Sequence, residues 1–147
     1  MKNKNILLFL IILLLAGIFL WFSFLRKEES PEKTTYLNAS NDLIVVESPS
    51  PGAVTGKEFL VVGVARGYWF FEASFPIEVV DKDGKLLVST FATAQGEWMT
   101  ENFVPFRAEV KAPVSYIGPA TLILRKDNAS GLPEHDASIS FPITIEY

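Results

Sequence analysis

The densest chemistry in this sequence is aromatic. Gly67 is followed by Tyr68, Trp69, Phe70 and Phe71, with Arg66 before them, Glu72 after them and Phe75 close behind. Exposed rings beside a guanidinium and a carboxylate can stack on a sugar or receive a protein partner. In an extended strand alternate rings face opposite sides of the sheet, so a single buried face cannot hold all four. The parity that buries Trp69 and Phe71 leaves Tyr68 and Phe70 for recognition; a bulge near Gly67 would reverse the assignment. The plainer reading is a core whose rings a loop covers. The candidate binding surface is Arg66, Tyr68, Trp69, Phe70, Phe71 and Glu72.

Other groups carry weaker signals. Asp127, Asn128, Ser130, Glu134, His135 and Asp136 gather oxygen donors of the kind calcium takes, but their spacing fits no EF-hand. The same residue types make ordinary turns, so no metal site and no stabilisation by calcium are expected. Ser130, His135 and Asp136 spell a triad, yet sequence neighbours rarely converge on one point, and no Gly-x-Ser-x-Gly elbow is present. Glu97 and Glu101 could pair as acid and base, although an acidic domain produces such pairs by chance. The absence of Cys excludes a disulfide framework, a thiolate site and a lipid-anchored Cys, and one His excludes a multi-histidine site. The expectation is a non-enzyme with no cofactor.

The elements that must position these residues fall into unlike parts. From Ile6 to Leu25 the chain holds 20 residues without a charge. As a helix they span roughly 30 Å, the thickness of a bilayer's hydrocarbon core. Lys2 and Lys4 precede the run, Arg26 and Lys27 follow it, and Trp21 lies near its end. Bulky aromatics stand where signal peptidase needs small residues, which favours an uncleaved transmembrane anchor after a short tail (1–5). The expected orientation is N-terminus cytoplasmic and C-terminal domain extracytoplasmic. Residues 1–27 hold four basic and no acidic side chains, whereas residues 28–147 hold nine basic and 17 acidic ones. Such an acidic domain repels nucleic acid and anionic head groups.

Residues 26–42 are polar, contain Pro31 and lack periodicity, so they read as a tether. From residue 43 to 147 seven short apolar or alternating runs follow one another: 43–47, 59–66, 75–81, 86–94, 104–110, 121–125 and 139–145. Asp83-Gly84 predicts a type I′ hairpin turn, and Pro142 predicts an edge strand. No helical pattern follows residue 25. The whole is an all-β sandwich of about seven strands preceded by one N-terminal transmembrane helix.

The run from Gly63 through Ala65-Arg66-Gly67 and the aromatics to Pro76 resembles the bacterial spore germination immunoglobulin-like domain. So do the Asp83-Gly84 turn, Ala94-Gln95-Gly96-Glu97-Trp98, Phe103-Val104-Pro105-Phe106 and Leu124 through Gly131. The resemblance spans roughly residues 43–146. It implies an immunoglobulin-like sandwich outside a bacterial membrane, and it brings no ligand or catalytic residue. In such a chain the acceptor patterns at Asn38 and Asn128 carry little meaning for glycosylation. The expected function is a membrane-anchored, non-catalytic binding or scaffolding module whose partner is a cell-envelope protein. The alternatives are carbohydrate recognition of a wall polysaccharide and an accessory domain to a separate envelope hydrolase.

Overall fold

The computed structural model describes Leu14 and residues 33–147. Leu14 apart, the apolar segment 6–25, the tail before it and residues 26–32 lie outside the described residues. Among the described residues no helix is long and apolar enough to cross a membrane.

Nine strands occur among the described residues: β1 (Thr35–Leu37), β2 (Ile44–Ser48), β3 (Val54–Thr55), β4 (Glu58–Arg66), β5 (Ser74–Asp81), β6 (Leu86–Ala94), β7 (Phe103–Lys111), β8 (Gly118–Arg125) and β9 (Ser138–Ile145). Strands β2 and β4–β9 are the seven expected runs, within three residues of their expected bounds. Their order is β1-β9-β8-β5-β6-β7-β4-β2, with β3 added beside β9. Strand β6 pairs with β5 along most of its length and reaches β7 only at Thr93 and Ala94. It therefore hands the sheet from one layer, β1-β9-β8-β5-β6, to the other, β7-β4-β2.

Period-two alternation builds the core. Val104, Phe106, Ala108 and Val110 are buried on β7 while the residues between them are exposed. Ile139, Phe141, Ile143 and Ile145 on β9, and Val61 and Ala65 on β4, are likewise buried, with half-buried residues at the alternate positions. Each fully buried aliphatic or aromatic side chain contributes about 1.5–3 kcal/mol. The layers meet where Phe75 of β5 packs edge-on against Phe106 of β7, with ring centroids 5.0 Å apart. Opposite Phe106 across the β4–β7 ladder stands Gly63, whose missing side chain leaves room for the ring and for the Val45 carbonyl.

Three expectations are corrected. The tether does not reach residue 42, because β1 pairs antiparallel with β9, Thr35 opposite Ser140 and Leu37 opposite Ser138. Three residues are too few to show a period, and their order comes from the ladder of β9. Pro142 is not on an open edge: β9 carries β8 on one side and β1 and β3 on the other. The Pro142 carbonyl accepts from Gly52 on the outer side, in the gap between β1 and β3. A strand residue points its nitrogen and carbonyl the same way, so the missing N–H falls in that gap. The Asp83-Gly84 hairpin is not type I′, since Gly84 alone has a positive φ, 81°. It is a type I turn closed by a left-handed glycine, with Gly84 N–H donating to the Asp81 carbonyl at 3.0 Å. Asp81 Oδ1 accepts from the backbone N–H of Lys85 and of Asp83, both at 2.9 Å. The Lys85 N–H is the chief cause that holds this carboxyl below its ordinary value.

Candidate functional site

The connections β4–β5 (67–73), β6–β7 (95–102) and β8–β9 (126–137) lie at one end of the sandwich, because Arg66 pairs with Phe103, Ser74 with Thr93 and Ile77 with Leu124. Backbone bonds tie them together. Gly67 N–H donates to Asn102 O at 3.2 Å, and Asp127 N–H to Trp69 O at 3.1 Å. A Cβ on Gly67 would sit 1.9 Å from Thr100 O and 2.2 Å from Trp98 O. Only glycine lets the first loop pass under the second.

The aromatic run is a loop and not a strand. Gly67–Trp69 form a 3₁₀ turn closed by Phe70 N–H donating to the Gly67 carbonyl. A three-residue turn abolishes the parity argument. Trp69 is 0% exposed and Phe70 4%, whereas Tyr68 is 50% and Phe71 47% exposed. Two adjacent rings therefore anchor the loop and the flanking two face solvent. Trp69 and Phe70 leave the candidate surface, Phe71 joins Tyr68 on it, and neither parity holds. The anchors pack on Phe75, with centroids 6.4 Å away for Trp69 and 5.2 Å for Phe70.

After Phe71 the chain reverses in a two-residue hairpin. Phe71 and Ser74 exchange both backbone bonds, at 2.9 and 3.0 Å. Between them Glu72 and Ala73 both have positive φ, 48° and 61°. This is the type I′ geometry, built without the Asn or Gly that normally supplies it. A non-glycine residue held there is strained, and such strain persists where the surroundings impose it. No residue type at 72 or 73 announces the turn.

Arg66 serves as a brace. Its guanidinium lies 4.1 Å from the centroid of the Phe103 ring. Nε donates to Asp42 O at 2.9 Å and one terminal nitrogen to Glu101 O at 3.3 Å. One face of the cation is thus already covered by an aromatic ring. Glu72 is exposed at the hairpin tip. Sequence reasoning missed Met99 and Leu132, exposed on the two neighbouring loops, and half-buried Trp98. Strand pairing brings them to the same end as the aromatic run, a placement that has no local signal.

In the third loop Ser130 and His135 do meet, Oγ to Nδ1 at 3.0 Å, contrary to the expectation for sequence neighbours. Ser130 Oγ also lies 2.5 Å from Asn128 Oδ1, to which it donates, and it accepts from Leu132 N–H at 3.2 Å. A hydroxyl has one proton, so Ser130 cannot donate to Asn128 Oδ1 and to His135 Nδ1 at once, and the His135 tautomer sets which group donates in the second contact. Asp136 accepts from Asn128 Nδ2 at 2.8 Å. The arrangement is a braced loop around Asn128.

Three surface cavities, of 280–520 Å³, are lined by neither Tyr68 nor Phe71. The exposed rings stand on the loop at this end of the sandwich. Among known proteins, the model of the Gmad2 family, described as the immunoglobulin-like domain of bacterial spore germination, matches residues 43–131. That match takes in β2 to β8 and stops before β9. No curated protein matches the chain.

Proposed function

The chain belongs to the immunoglobulin-like domain family of bacterial spore germination, and from that premise we propose a non-catalytic binding or scaffolding module of the bacterial cell envelope. The observation that carries this reading is the pair of exposed rings, Tyr68 and Phe71, held up by the buried pair Trp69 and Phe70. Rigid aromatics on an anchored loop offer contact area at small cost in side-chain entropy. Rings that line none of the three described cavities favour a protein partner over a wall glycan, which needs rings set in a groove.

The apolar run of residues 6–25 supports a transmembrane anchor, with the N-terminus cytoplasmic and the domain extracytoplasmic. Mass spectrometry of the membrane fraction tests the anchor: an intact N-terminus supports it, and a mature N-terminus near residue 26 overturns it. Capture from envelope extract tests the module. The doubly substituted chain Tyr68→Ala, Phe71→Ala should keep its melting temperature within a few degrees and lose its captured partner. Unchanged capture overturns the reading.

A further inference from the structure

The charge of the domain is concentrated at the end that carries the exposed rings. Over residues 33–147 the chain has nine basic and 14 acidic side chains. The three loops hold six of the carboxylates (Glu72, Glu97, Glu101, Asp127, Glu134 and Asp136) against one basic residue, Lys126. The remainder holds eight of each sign, so the entire excess belongs to these loops. Asp42, on the connection from β1 to β2, and Arg66, at the end of β4, add one charge of each sign to the same end and leave the acidic excess unchanged. Elsewhere carboxylates meet cations, as in Arg125–Glu78 at 2.8 Å and Lys111–Glu58 at 3.8 Å. Among the described residues none of the six loop carboxylates lies in a salt bridge.

Apolar side chains stand among these charges. Tyr68 and Phe71 come from the first loop, Met99 from the second and Leu132 from the third, and all four are exposed. Apolar groups beside an excess of unpaired charge favour a partner of the opposite sign with its own apolar side chains. We propose that this end of the domain receives a basic polypeptide segment, whose Lys or Arg residues face the loop carboxylates and whose apolar residues pack on Tyr68, Phe71, Met99 and Leu132. The proposal rests on the reading of the loop end as the binding surface and specifies the partner's chemistry. Anionic wall polymers and anionic lipid head groups are repelled by the same field. The carboxylates are also spread out: among the described residues no three His, Asp or Glu side chains gather as a cation site requires.

The test uses the full-length chain in non-ionic detergent micelles and three probes. One is a peptide of about twelve residues alternating Lys and Leu with one Trp, the second has Glu in place of Lys, and the third is a soluble peptidoglycan fragment. The Lys peptide should bind, and should weaken about tenfold or more between low and high salt. Glu72→Gln, Glu97→Gln, Glu101→Gln and Glu134→Gln combined should weaken it by about tenfold. Gln at position 97 keeps an oxygen for the Met99 N–H that Glu97 now accepts, so the loop is not unmade. Glu47→Gln, Glu109→Gln and Glu146→Gln combined, away from the loops, should change binding by less than about twofold. Equal weakening by the two sets, or tighter binding of either other probe, overturns the proposal. If Tyr68→Ala, Phe71→Ala abolishes envelope capture while the loop Gln set binds the Lys peptide unchanged, this proposal falls and the module reading stands. Intact capture by the aromatic variant overturns the module reading itself.

Discussion

Trp69 is fully buried, yet its Nε1 has no hydrogen-bond partner among the described residues. Its ring volume stabilises the loop while its donor works against it, by about 1–3 kcal/mol for an unmet buried group. Trp69→Ala should cost about 3–5 kcal/mol in denaturant unfolding. Trp69→Phe, which removes the donor and leaves a smaller void, should cost less than about 2 kcal/mol. Ala73 is a second informative residue, because its φ of 61° suits glycine. Ala73→Gly should raise stability by about 0.5–1 kcal/mol, the relief of left-handed strain exceeding the added freedom of the unfolded chain. Asp81 supplies the pH dependence. Its carboxyl is held below 3.8, so it stabilises the fold above that pH, and the contribution fades as pH falls through the lower folded value. The melting-temperature gap between the native chain and Asp81→Asn should therefore be full at neutral pH and close in acid.

At the scale of elements, the β4–β7 ladder depends on one absent side chain. A Cβ on Gly63 would lie 2.1 Å from Val45 O and 2.8 Å from the Phe106 ring. One contact is backbone, so neither β2 nor β7 can yield without losing register. Gly63→Ala should cost about 3 kcal/mol, read as a fall in the denaturant midpoint. The same alternation made β7 and β9 legible from sequence, since one buried face per strand writes a period of two into the residue types. β1 and β3 were not legible, because strands of three and two residues contain no period and form on the neighbouring ladder. The aromatic loop was half legible: four adjacent rings signalled that some must face solvent, but a 3₁₀ turn selected Tyr68 and Phe71, and Gly67, which opens it, is bonded to Asn102, 35 positions away. The Glu72-Ala73 turn had no local signal. The Asp83-Gly84 signal gave the right hairpin with the wrong turn, since one left-handed glycine serves either type.

For the whole molecule, β1 belongs to the fold, and residues 33–147 should unfold in one cooperative transition followed by circular dichroism. Residues 43–147, which lack β1 and the Asp42 carbonyl that holds Arg66, should be less stable by about 1–2 kcal/mol. The direction of β1 matters as well as its presence. It runs toward the loop end, antiparallel to β9, with Leu37 at that end and Thr35 farther along β9. A load that drags Lys33 away from the loops therefore acts along the strand, at right angles to its hydrogen bonds. Those bonds are sheared together instead of being peeled one by one, so the three residues work as a mechanical latch. A chain pulled from its N-terminal side while a partner grips the loops would resist at this latch before any core strand felt the force.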